Sequence, residues 1–182
     1  HSSPTRRSSD LTATGGGIIG DILTNEIPSY FRHGALYTTA AFVGAATFVD
    51  NYAAIGGALQ GNGQAYVLQS LFLANGASAL GGAISHYSLN ANDALSIRLS
   101  TFVENTAGSQ GGALYSTLTG NAIPLQIAGS TFLDNSAGTP AYRVIRTFRS
   151  TDVRDSLFAG PGGCGSLLTD QGGNVSAATG CV

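Results

Sequence analysis

One pattern recurs along this chain at steps of 24 to 30 residues. Thr47-Phe48-Val49-Asp50-Asn51 precedes Gly56-Gly57-Ala58-Leu59, and Leu71-Phe72-Leu73-Ala74-Asn75 precedes Gly81-Gly82-Ala83-Ile84. Thr101-Phe102-Val103-Glu104-Asn105 then precedes Gly111-Gly112-Ala113-Leu114. A fourth copy, Thr131-Phe132-Leu133-Asp134-Asn135, carries Thr139-Pro140-Ala141 where the glycines would fall, and a fifth is reduced to Ser156-Leu157-Phe158. The anchor phenylalanines are 24, 30, 30 and 26 residues apart. Repetition on this scale identifies a solenoid, in which no unit buries its apolar face alone and stacking of neighbours builds the core.

The units read as strands. In Ala94-Leu95-Ser96-Ile97-Arg98-Leu99-Ser100, apolar residues at 95, 97 and 99 alternate with polar ones, and Leu125 and Ile127 repeat the spacing. No stretch sustains a 3.6-residue apolar period, which excludes a helical solenoid. The expectation is an all-β chain, a right-handed parallel β-helix of about five coils, each rising by roughly 4.8 Å. Phe48, Phe72, Phe102, Phe132 and Phe158 would then form one internal column. Asn51, Asn75, Asn105 and Asn135 would form another at a turn, where asparagine tolerates left-handed backbone angles and stacked amides hydrogen-bond from coil to coil. The Gly-Gly pairs would open the next strand at a corner.

Phe-x-x-Asn followed by Gly-Gly-Ala-Ile/Leu resembles the paired motifs of the polymorphic membrane protein repeats, over roughly residues 46–135. Those repeats occur in bacterial surface proteins. The resemblance implies a right-handed parallel β-helix, secretion or surface display, and often an adhesive role. The segment Gly162-Gly163-Cys164-Gly165 … Gly180-Cys181 is similar to the end of many secreted bacterial β-helix proteins, where two cysteines bracket a glycine-rich turn. Cys164 and Cys181 are the only cysteines, and the resemblance implies that they are bonded, with two free thiols as the alternative. A disulfide implies an oxidising compartment.

The first eleven residues, His1-Ser2-Ser3-Pro4-Thr5-Arg6-Arg7-Ser8-Ser9-Asp10-Leu11, stand outside the pattern. Thr-Arg-Arg-Ser-Ser-Asp-Leu is the translation of the end of a short-read sequencing adaptor. Residues 1–11 are therefore expected to be an assembly scar of metagenomic type on an N-terminally truncated fragment, with a basic N-terminal tail as the alternative. Without Arg6, Arg7 and Asp10, 8 basic and 10 acidic groups become 6 and 9, a net charge of −3. Residues 12–182 would form a single domain, with an irregular loop near 20–40 and the cysteine-bracketed segment 164–181 at its end. Gly15-Gly16-Gly17-Ile18 reads as half of an earlier coil.

Charged residues make up 10% of the chain, and lysine, methionine and tryptophan are absent. The hydrophobic fraction of 43% supports a packed core rather than disorder. Mild acidity argues against nucleic acid, and no uninterrupted apolar run is long enough to span a membrane.

Two clusters carry candidate chemistry. Glu104 and Asp134 would lie on adjacent coils, where stacked carboxylates share a cation or proton or splay into solvent. They are the candidate catalytic pair. Four of the six arginines outside the scar fall at 143, 146, 149 and 154. With Asp152 and Asp155 they form a candidate patch for an acidic glycan or phosphate, in which Arg143 and Arg149, six residues apart, would share the face of a regular strand; the alternative is a solvated edge of Arg–Asp pairs. No metal site or cofactor is expected. Asn174-Val175-Ser176 is a glycosylation sequon, relevant in a eukaryotic host. The reading is a non-catalytic structural or adhesive module, extracellular or at the cell surface, with surface glycans or cell-surface proteins as partners. The alternative is a carbohydrate-binding or polysaccharide-cleaving β-helix.

Overall fold

The computed structural model describes residues 40–88, 93–118, 123–165, 168–178 and 180–182. The expected scar at 1–11, the glycine half-repeat at 15–18 and the loop near 20–40 lie outside the described residues. All described residues fall within one compact unit, Leu36–Val182.

Short strands follow one another around a coil and pair with their counterparts in the next. The first coil holds β1 (Ala40–Gly44), β2 (Thr47–Val49), β3 (Tyr52–Ile55) and β4 (Leu59–Asn62). The second holds β5 (Gln64–Leu68), β6 (Leu71–Leu73), β7 (Gly76–Leu80) and β8 (Ile84–Ser88). The third holds β9 (Leu95–Arg98), β10 (Thr101–Val103), β11 (Thr106–Ala107) and β12 (Leu114–Leu118). The fourth holds β13 (Leu125–Ala128), β14 (Thr131–Leu133), β15 (Ser136–Ala137) and β16 (Ile145–Thr147). Then come β17 (Thr151–Arg154), β18 (Leu157–Ala159), β19 (Cys164–Gly165), β20 (Leu168–Asp170) and β21 (Val175–Ser176).

Four parallel sheets result. The first is β1-β5-β9-β13-β17-β20, the second β2-β6-β10-β14-β18-β21, the third β3-β7-β11-β15 and the fourth β4-β8-β12-β16-β19. This is a parallel β-helix. It has four complete turns rather than about five, because the fifth coil contributes no strand to the third sheet. There Gly160-Pro161-Gly162 replaces the acid-asparagine corner, with Gly160 at φ 110° and Gly162 at φ 142°. Proline has no N–H to donate to a ladder, and the chain short-cuts to β19.

Register explains the core. Phe48, Phe72, Phe102, Phe132 and Phe158 are Cα partners in the second sheet. Their rings stack with centroids 4.8, 4.7, 4.8 and 4.9 Å apart and planes within 8° of parallel. Stacking at the strand spacing follows from identical residues in register. Four of the five are fully buried, each worth about 1.5–3 kcal/mol of transfer free energy. Leu59, Ile84, Leu114, Ile145 and Cys164 line the fourth sheet in the same way. Leu95 and Ile97 point inward as expected, but Leu99 is 62% exposed, at a corner with φ 52°.

The corners correct one expectation. The left-handed residue is not asparagine but its predecessor: Asp50, Ala74, Glu104 and Asp134 have φ between 52° and 55°. A left-handed angle costs a non-glycine residue roughly 1–2 kcal/mol, and the next side chain offsets this with buried hydrogen bonds. Asn105 Nδ2 donates to Phe72 O at 2.9 Å in one neighbouring coil and to Asn135 Oδ1 at 2.8 Å in the other. A second ladder runs along the preceding corner, where Ser70, Ser100, Ser130 and Ser156 each follow a left-handed residue. Ser100 Oγ donates to Arg98 O at 2.9 Å and accepts the Ser70 N–H at 3.2 Å. The glycine pairs open the fourth sheet. Gly81 takes φ 65°, and a Cβ on Gly82 would collide with the carbonyl oxygens of Gly112 and Thr106.

Candidate functional site

Glu104 and Asp134 follow β10 and β14, which pair in register, so both carboxylates stand at the same corner on adjacent coils. Both are exposed. The column continues to Ala74 on one side and Gly160 on the other, so the acidic pair is isolated from further carboxylates along it. Among the described residues, no three His, Cys, Asp or Glu gather as metal ligation would require.

The arginines separate. Arg149 is 3% exposed, and its Nη1 donates to Asp93 O at 3.0 Å. Burial lowers its pKa, and nearby Asp93 partly opposes that effect. Arg143 lies before β16 and Arg149 after it, so the two do not share a strand face. Arg143 is half-buried, with its stem against Gly162, and its Nε has no hydrogen-bond partner.

Arg146, a member of the arginine patch expected from the sequence, lies in β16. Its guanidinium lies 4.0 Å from the Tyr142 ring centroid and 4.1 Å from that of Phe148. Tyr115, its Cα partner in β12, meets Phe148 edge-on at 6.0 Å. Burial raises the Tyr115 pKa, Tyr87 adds to the shift, and Arg146 opposes it. Beside this cluster is a notch of about 450 Å³, lined by Pro140, Ala141, Tyr142, Arg143 and Gly162 to Gly165. It forms where the fourth coil lacks its glycine corner and makes a short 3-10 helix, Pro140–Tyr142, instead.

His86 and Tyr87 lie in β8. His86 is 1% exposed and faces the interior; its Nε2 lies 2.7 Å from Gly63 O, and its Nδ1 lies 3.4 Å from Ser116 Oγ. These contacts fit a neutral ring donating from Nε2 and accepting at Nδ1. Burial holds its pKa below the ordinary value, and Arg149 adds to the effect. The signal for this pair was present in the sequence: Ser116 lies 30 residues after His86, one repeat step, so the two must stack. The pair is sealed from solvent, which leaves a nucleophile there no route to a substrate.

The sequon asparagine is occupied by the scaffold. Asn174 Oδ1 accepts the Ser156 N–H at 3.0 Å, and its Nδ2 donates to Val153 O at 2.8 Å and Asp170 Oδ1 at 2.6 Å. The Asp170 pKa is lowered by the Gly172 N–H and by this amide. Cys164 and Cys181 form a disulfide that ties β19 to the last residues. No described helix is long and apolar enough to cross a membrane.

Fold and corner chemistry together define a β-helix repeat protein. The family model for the Chlamydia polymorphic membrane protein repeat matches residues 100–117, from the start of β10 into β12. The chain is a parallel β-helix repeat protein resembling that repeat family. A family model described as a glycine transporter matches residues 9–53. The described part of that segment consists of β1, β2 and the start of β3, in register with the coils that follow. No curated protein and no solved structure matches the chain.

Proposed function

We propose that the chain is a non-catalytic structural and adhesive module of a secreted or cell-surface β-helix repeat protein. The observation that carries this reading is where the repeated side chains go. Every Phe, Asn and Ser of the repeat is committed to a stack or ladder that runs coil to coil, and repetition of this kind makes a rod. The Chlamydia polymorphic membrane protein repeats belong to surface-exposed proteins, and the disulfide suits an oxidising compartment. In this reading residues 12–182 act as one β-helix domain, and residues 1–11 play no part.

The test is to express the complete gene in its host, treat intact cells with an impermeant protease, and assay the 182-residue chain on neutral and acidic polysaccharides. Cleavage at the cell surface without release of sugar products is expected. Retention in the cytosol would contradict the surface assignment.

One observation favours a second reading, a polysaccharide-cleaving β-helix: Glu104 and Asp134 stand on adjacent coils at an exposed corner. Product release that disappears in Glu104→Gln or Asp134→Asn would establish that reading instead.

A further inference from the structure

We propose that the outer face of the fourth sheet and its adjoining notch bind an acidic polysaccharide, whose sugar faces lie on the aromatic rings and whose carboxylates meet Arg143. Charge points to this side of the rod. Leu59, Ile84, Leu114 and Ile145 point inward, so the side chains that alternate with them point outward. Nearest the corner these are Gln60, Tyr115 and Arg146, with Ser85 covered between its neighbours; then come Asn62, Tyr87, Thr117 and, just after β16, Phe148. None of the eight is a carboxylate. The exposed acids among the described residues stand elsewhere: Asp50, Glu104 and Asp134 at the corner after the second sheet, Asp155 and Asp170 on the side of the first.

Shape points to a chain rather than a single small ion. Tyr87, Tyr115 and Phe148 belong to three successive coils but alternate between two columns, Tyr115 standing two residues nearer the corner than the other two, so they form a staggered aromatic strip along the rod. Rings of this kind stack on the apolar faces of sugars. The row ends at the notch, whose volume of about 450 Å³ lies within the range of small-molecule sites. Tyr142 and Pro140 give it apolar walls, and Arg143 brings a guanidinium to its edge. A planar guanidinium recognises a carboxylate through paired N–H donors. The glycines at 162 and 163 and the proline at 140 are departures from the repeat, and departures in a solenoid collect on its binding face.

The test titrates the 182-residue chain with oligogalacturonate, with the same oligomer after reduction of its carboxyls to alcohols, and with single-stranded DNA. Saturable binding to oligogalacturonate is expected, at least tenfold weaker for the reduced oligomer and for DNA, and weakened by salt. Arg143→Ala and Tyr115→Ala should each lower the affinity at least fivefold with unchanged melting temperature. Arg98→Ala, on the exposed face of the first sheet, should leave it unchanged. Equal affinity for the reduced oligomer or for DNA, equal loss in Arg98→Ala, or no saturable binding would overturn the proposal. The surface-module reading would survive each of these outcomes, because it is decided by protease accessibility on intact cells.

Discussion

Asn75 and Asn105 share one oxygen: Asn105 Oδ1 accepts the backbone N–H of Asn75 at 3.0 Å and its side-chain Nδ2 at 2.9 Å. The same relation links Asn51 to Asn75 and Asn105 to Asn135. Each inner asparagine thus satisfies two donors of one coil while donating to a carbonyl and an amide oxygen. Asn75, Asn105 and Asn135 are all buried. Water cannot replace these partners, so the ladder holds the corner in a backbone conformation that its left-handed residues disfavour.

Removing an inner rung should therefore cost far more than removing an end one. Asn105→Ala strands the Asn75 N–H, leaves Asn75 Nδ2 with Phe48 O as its one remaining partner, and removes the amide donor to the Phe72 carbonyl, all within the interior. The expected loss is about 3 kcal/mol or more, against about 1 kcal/mol for Asn51→Ala, whose side chain is partly exposed and ends the described ladder. Urea unfolding would show this as a larger shift in midpoint for Asn105→Ala at equal slope. Equal shifts would mean that the ladder is not cooperative in the way the geometry implies.

Two glycines make a second, internally controlled case. A Cβ on Gly82 meets the backbone of the next coil, which cannot yield without opening the stack, whereas nothing lies within 4 Å of a Cβ on Gly61. Gly82→Ala should destabilise by about 3 kcal/mol or more, in the range of severe core overpacking. Gly61→Ala should be neutral or stabilise by about 0.5 kcal/mol through the unfolded chain. Thermal melts of the two variants side by side decide it, and a tolerated Gly82→Ala would sink the close-packing account of the glycine pairs.

Much of this architecture was legible because the repeat is a translation in space. Residues one step apart in sequence occupy one column, which is why the phenylalanine stack and the stacking of Glu104 on Asp134 follow from counting. Conformation within the column was less legible. The left-handed residue is the one before asparagine, a position filled by Asp, Ala or Glu with no shared side-chain signature. The serine ladder went unread because serine is common in loops, and only its position one residue after the first sheet gives it meaning. Arg149 looked like a surface arginine, because no local pattern records that its side chain turns into the interior toward Asp93. The notch could not be read from the repeat either, since it exists where the repeat stops.

His86 sets a pH dependence whose direction follows from its burial. Its folded pKa lies below the ordinary value of 6.5 because desolvation penalises the charged ring and Arg149 repels it, while the Gly63 carbonyl and Asp93 act the other way. A depressed folded pKa means that the unfolded chain binds the proton first. Stability from His86 is then complete above the ordinary histidine range and is lost as pH falls below it toward the folded pKa. Urea midpoints should fall between pH 7.5 and pH 5, and His86→Gln should flatten that part of the profile while lowering stability at both pH values. A profile that stays steep between pH 7.5 and pH 5 in His86→Gln would assign the effect elsewhere.

The disulfide acts on the fifth coil, where the repeat is weakest. Beyond Asn135 the asparagine ladder has no further rung, the third sheet has ended, and β19 to β21 are two or three residues long. Cys164 and Cys181, 17 residues apart, close this segment into a loop across the last coil. In the chain-entropy picture a loop of that size stabilises by about 3 kcal/mol. Reduction, or Cys164→Ala with Cys181→Ala, should lower the melting temperature and leave the stacked phenylalanines of the inner coils protected. Amide exchange distinguishes local from global effects: β20 and β21 should lose protection first, while β10 and β14 keep theirs until global unfolding. Freed strand edges pair readily with other chains, so the reduced protein should also self-associate at concentrations where the oxidised one stays monodisperse in light scattering. A reduced chain with unchanged exchange in β20 and β21 would show that side-chain packing, rather than the cross-link, closes the helix.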